Sequence, residues 1–211
     1  MNTKILAASF GSLILGSALA VAATSTDASS SDQAQMQLPP GWTMEDMQAV
    51  MEAGTPGKMH ERLAKDVGTW DCETTMWMVP DSEPMKSSGT ATYTALMDGR
   101  FVKCEMDGEM PGMGPYHGLG IAGYDNVSKE FVSNWLDNHG TGIMNGTGEL
   151  SSDGKTLTWE YTGNCPVTKQ PIVMREVETV TGPNTKTMEM FGEDPKSGKE
   201  FKMMHIEFTK Q

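Results

Sequence analysis

Past Gly68 the chain changes period and keeps the new one to its end. Trp70, Cys72, Thr74, Met76 and Met78 alternate with Asp71, Glu73, Thr75 and Trp77, the two-residue repeat of a strand with one buried face. Gly68 can adopt left-handed backbone without a Cβ clash, so it suits the point where a short helix ends and the first strand begins. Nine further segments repeat the pattern: Ser87–Met97, Phe101–Gly108, Gly118–Tyr124, Glu130–Asn138, Gly142–Leu150, Thr156–Thr162, Ile172–Thr181, Thr185–Gly192 and Glu200–Thr209. The gaps carry turn chemistry, Asp98-Gly99, Asp125-Asn126, Asp153-Gly154 and the loop from Pro195 to Gly198, which favours hairpins. A ribbon of consecutive hairpins must close or leave two unpaired edges. The expected fold is therefore mainly β, an antiparallel up-and-down closed β-barrel of about ten strands, with short N-terminal helices across one mouth. Such a barrel has room for side chains and a small ligand.

The N-terminal region divides by composition. Met1 to Ala23 has Lys4 near its start, an apolar run from Ile5 to Leu19 and small residues at Ala18, Ala20, Ala22 and Ala23, the pattern of a secretory signal peptide. This predicts a periplasmic or secreted protein. Residues 24–40, polar and Ser-rich, read as a disordered tether. Residues 41–67 read as helical. Thr43 with Asp46 makes a capping box for a helix carrying Met44, Met47, Val50 and Met51, and Thr55-Pro56 opens a second with Met59, Leu63 and Val67 on one face. Residues 68–211 form the barrel domain.

The formal charge is −12; loss of Met1 to Ala23 removes one Lys and no carboxylate, giving −13. A field of that sign repels phosphate backbones and anionic head groups, so nucleic acid and membrane surfaces are poor partners. The cysteines, Cys72, Cys104 and Cys165, are odd in number, which leaves at least one unpaired or bonded to another chain. A Cys72–Cys104 bridge requires their strands to be neighbours.

Four blocks in order, Gly68-Thr69-Trp70, Gly123-Tyr124-Asp125-Asn126, Arg175-Glu176-Val177 and Phe201-Lys202-Met203-Met204, resemble a bacterial domain-of-unknown-function family of barrel proteins, over Lys58 to Lys210. The Gly-x-Trp start is also similar to the calycins, the lipocalins and fatty-acid-binding barrels. That resemblance implies a calycin-like fold in which Trp70 closes the barrel floor beneath a basic residue of the last strand, here Lys210. It implies no activity.

Three sets of residues carry functional expectations. Strand parity points Trp70, Met76, Tyr93, Met106, Trp135 and Met204 inward as contact surface for a small, partly apolar ligand, with Asp137 and Arg175 as its polar selectivity. Along the last strand Met204, Ile206 and Phe208 face in with Lys202 near the rim, and Met203, His205, Glu207 and Thr209 face water. An alternative set, Met106, Met110, Met113 and His117, offers soft thioethers and an imidazole to Cu(I). A third reading is an enzyme using Asp137 and Glu149 as paired carboxylates beside Arg175, with His139 and Glu176 close in sequence. Against each stands a plainer account: Met as core filler, ion pairs on the surface, and His60 and His205 as surface groups. No Gly-x-Ser-x-Gly elbow, phosphate loop, His-Glu-x-x-His or Cys-x-x-Cys occurs, which leaves those chemistries unsupported. No cofactor is identified. An interaction module or homodimer is the remaining class.

Overall fold

The structure is a computed structural model and describes residues 38–211. The signal peptide expected at Met1–Ala23, and the tether up to residue 37, lie outside the described residues. The chain divides into two units between Gly54 and Thr55. In the first, α1 (Met44–Ala53) begins at the Thr43 capping box, in which the Thr43 N–H donates to Asp46 Oδ2 at 2.7 Å and the Asp46 N–H donates to Thr43 Oγ1 at 3.1 Å. Two helical donors that would otherwise lack partners are thereby satisfied.

The second unit holds α2 (Lys58–Ala64) and ten strands: β1 (Gly68–Met76), β2 (Met85–Leu96), β3 (Phe101–Met110), β4 (Gly114–Asp125), β5 (Glu130–Asp137), β6 (Met144–Leu150), β7 (Thr156–Asn164), β8 (Pro171–Gly182), β9 (Thr185–Glu193) and β10 (Glu200–Lys210). Each strand pairs antiparallel with the next, and β1 pairs with β10 from Trp70↔Lys210 to Met76↔Met204. The barrel is closed. Among the described residues no strand edge is left unpaired, which is the physical advantage of closure. Turns hold by side-chain capture of backbone N–H groups: Asp125 Oδ1 accepts from Val127 N at 2.7 Å and Asp153 Oδ1 from Lys155 N at 3.1 Å.

α2 lies against β3 and β4, at the end where β1 begins. Leu63 and Val67 pack on the core formed by Val102, Phe131, Leu157, Trp159, Tyr161 and Met174. His60 is buried, contrary to the surface position expected of it. Its Nδ1 accepts the Gly57 N–H at 3.0 Å and its ring stands edge-on to Tyr124, so it caps the helix and fills the core. Gly68 has φ +132°, and a Cβ there would meet the Lys210 side chain at 2.8 Å. Only glycine turns the chain into β1 at this point without strain.

One register correction lies in β10. Between Lys202 and Met204 the pairing with β9 shifts, a bulge that reverses the parity of everything before it. Met204, Ile206 and Phe208 face inward as expected. Met203 packs on the core instead of facing water, and Lys202 lies on the outer face with Glu189 at 2.9 Å and the Trp77 ring at 5.5 Å.

Candidate functional site

The barrel encloses a cavity of about 260 Å³ that runs from Leu63 and Asp66 at the α2 end to Met76, Met110 and Asp137 at the other, where exposed Asp107 and Glu109 border it. Large rings fit on its walls because the facing strands carry glycine. A Cβ on Gly120 would come within 2.7 Å of the Trp135 ring, and one on Gly148 within 2.6 Å of the Trp159 ring. Trp135 donates to Tyr116 Oη at 3.1 Å and Tyr161 donates to Ser133 Oγ at 3.0 Å, which holds both rings in place. Of the eight residues expected to bind a ligand, Met76, Tyr93, Met106, Trp135, Asp137 and Met204 line this space. Trp70 is buried below it, in a cluster with Cys72, Ala91, Ile206 and Phe208.

Trp70 closes the floor, and two cations flank it. Lys210 Nζ is 5.2 Å from its ring and bonds to Lys65 O at 3.1 Å, which agrees with the partner the calycin resemblance implied. The second, Lys186, was not foreseen. It is 2 % exposed, with Nζ 5.4 Å from the Trp70 ring and 4.3 Å from the Tyr93 ring. A buried ammonium costs several kcal/mol unless it is paired and fully hydrogen-bonded. Lys186 meets that requirement with Glu178 at 2.9 Å, Asp66 at 3.1 Å and Tyr93 Oη at 3.2 Å. Arg62, one helical turn before Asp66, adds a second cation at 3.7 Å.

The pairing orders the ionisation of the cluster. Burial pushes Lys186 down, but Glu178 and Asp66 more than offset it, so its ammonium persists well above the ordinary range. Burial pushes Glu178 up, and the Lys186 charge, with hydrogen bonds from Lys186 and from Trp159 at 3.2 Å, returns it below its ordinary value. Asp66 remains raised, burial outweighing Lys186. Burial also pushes the thiols of Cys72 and Cys104 up to about 12, so both remain neutral and unreactive.

Glu176 is the odd member. It lies on one rung with Trp159 and Met190, and its side chain points into the cavity. It makes no hydrogen bond to any described residue. Burial first, and then the neighbouring Glu178 carboxylate, raise its pKa to about 8. The sequence signal for both residues was present: Glu176 and Glu178 share parity on β8, and Lys186 shares parity with Met188 and Met190 on β9.

Several expected residues do not converge. Arg175 occupies the outer face of β8, its guanidinium 4.1 Å over the Phe191 ring and 3.5 Å from Glu200. Its neighbour Glu176 points inward in its place, because a strand alternates faces at every residue. Glu149 is also exposed on the outer face, so the proposed set of Asp137, Glu149 and Arg175 does not share a site. Of the copper set, Met106 and Met110 line the cavity, Met113 is exposed in the β3–β4 turn, and His117 pairs outside with Asp107 at 2.7 Å. Among the described residues no group of three or more His, Cys, Asp or Glu is placed to hold a metal ion. Cys72 and Cys104 lie on strands separated by β2, and all three thiols are free. His139 stacks on Tyr116 at 5.9 Å.

A closed ten-strand meander with one end capped and a cavity inside is a calycin-like β-barrel. Solved structures agree. Rv2717c from M. tuberculosis superposes with a TM-score of 0.57 at 12% identity, over 74% of this chain and 99% of its own. The S-type phycobiliprotein lyase CPES from Guillardia theta gives 0.51 at 8%, over 76% and 96%. The chain belongs to the DUF1579 family, described as proteins of unknown function, which it matches over residues 55–210. No curated protein matches it.

Proposed function

We propose that this protein is a binding barrel, which holds a small, partly apolar molecule in its interior without transforming it, and that it works outside the cytoplasm once Met1–Ala23 has been removed. The observation that carries the reading is the cavity itself. A packed interior of this size would be filled by side chains; here seven methionines and six aromatic rings surround about 260 Å³ of open space. Methionine is flexible and polarisable, so a methionine-lined wall adapts to its occupant. Trp135, Tyr93, Met76, Met106 and Met204 supply contact surface, and Asp137 lies at the cavity end opposite α2.

A neutral fluorophore, N-phenyl-1-naphthylamine, provides the test. Its emission should rise on one-to-one binding to the folded protein, and Met106→Trp, which fills the cavity, should abolish the rise. Absence of binding, or undiminished binding to Met106→Trp, would overturn the reading. Native mass spectrometry of protein from its natural compartment would identify a retained molecule and, by intact mass, the start of the mature chain.

A further inference from the structure

We propose that the barrel selects an organic cation, a primary or secondary ammonium on an apolar body, and that the Glu176 carboxylate is its counter-ion. This rests on the binding reading above and goes beyond it by naming the chemical class. The first support is an asymmetry in the lining. Asp66, Asp137, Glu176 and Glu178 border the cavity, with Asp107 and Glu109 exposed at its rim, and among the described residues no Lys, Arg or His lines it. Lys186 lies behind the wall, committed to Asp66 and Glu178. A fatty-acid-type ligand with an anionic head would therefore meet carboxylates and no cation. Desolvating an anion there would be unfavourable on both counts.

The second support is that the charge ledger inside the barrel leaves one group over. Arg62 and Lys186 are answered by Asp66 and Glu178 within 3.7 Å. Glu176 has no such partner, is enclosed by the barrel wall and faces the open space. Buried acceptors normally find donors. Trp159 on the same rung, with Tyr161 and Trp135 nearby on the wall, provides aromatic surface of the kind that favours cations. An entering ammonium would supply the missing donor and charge together.

A consequence for protons follows. In the empty barrel Glu176 keeps its proton up to about pH 8, so ammonium binding below that point must expel it. The groups that face Glu176 do not share this titration. Glu178 is held ionised and Lys186 charged, Tyr116 and Tyr161 are pushed well above their ordinary range by burial, and the thiols of Cys72 and Cys104 stay neutral to about 12.

Three probes with one body decide the matter: 1-naphthylmethylamine, 1-naphthylmethanol and 1-naphthaleneacetate, each titrated calorimetrically into the full-length mature protein just above the pH at which Glu176 ionises. A charge-assisted hydrogen bond should make the amine bind about tenfold tighter than the alcohol or better, and the acetate weaker than both. Glu176→Gln should bring the amine to within about twofold of the alcohol, whereas Glu149→Gln, on the outer face of β6, should keep the preference. At neutral pH, titrations in two buffers of different ionisation enthalpy should show proton release with the amine and none with the alcohol. If the alcohol binds and the amine has no advantage, the cation assignment fails while the binding barrel stands. If the preference survives Glu176→Gln, or no proton is released, Glu176 is not the counter-ion. If none of the three binds, both readings fall. Should Glu176→Gln not fold, the three-probe ranking and the proton count on the unmodified protein still decide.

Discussion

A single carboxyl group makes the empty barrel's stability depend on pH. Glu176 releases its proton near 4.5 in the unfolded chain and near 8 in the folded one, so between those values the folded state carries the extra proton. Its stabilising contribution is complete below 4.5 and is lost as pH climbs towards 8, with a slope of up to about 1.4 kcal/mol per pH unit. Melting temperatures of the unliganded protein should fall over that range, and Glu176→Gln should flatten the fall. Asp66, also raised, leaves a smaller residue of the same sign at the acid end. Equal slopes in the two proteins would contradict the assignment. Lys186 is the second sensitive residue. Lys186→Met leaves Glu178 buried without its cation and Asp66 with Arg62 alone, and should cost about 3 to 5 kcal/mol in urea unfolding. Adding Glu178→Leu should recover about half of that, because an apolar replacement removes the orphaned charge too.

At the level of strands, packing depends on glycine beneath aromatic rings. Gly148→Ala drives a methyl group into the Trp159 ring and should destabilise by about 1 to 3 kcal/mol. Gly142→Ala adds a methyl group that meets nothing and should change stability by less than about 0.5 kcal/mol. Denaturant midpoints of the two variants provide the comparison. The ten strands themselves were legible in the sequence, each overlapping its expected span, because alternation and Asp-Gly or Asp-Asn turns are local signals. What each face carried was legible only where apolar residues face in. In β8 the signal is mixed: Val173 is 54% exposed while Glu176 and Glu178 point inward on the same face as buried Met174, so hydrophobicity alone does not mark every residue of the inner face. The β10 bulge is equally invisible, because an extra residue in a strand has no composition of its own. Met203 and Lys202 exchanged faces for that reason.

For the molecule as a whole, the ring of hydrogen bonds closes within Gly68–Lys210 and α2 supplies its cap. A chain beginning at Thr55 should therefore melt within a few degrees of the full mature protein, by circular dichroism; a loss of cooperative melting would mean that the barrel needs the preceding unit. The capped end has a further implication. Helix α2, Leu63 and Trp70 turn the barrel into a cul-de-sac, so whatever enters must back out along the route by which it came. On the binding reading proposed above, residence time would be governed at the one doorway that the described residues leave, framed by Met110, Asp107 and Glu109, and a protein that delivered or collected a cargo would need to visit only that rim.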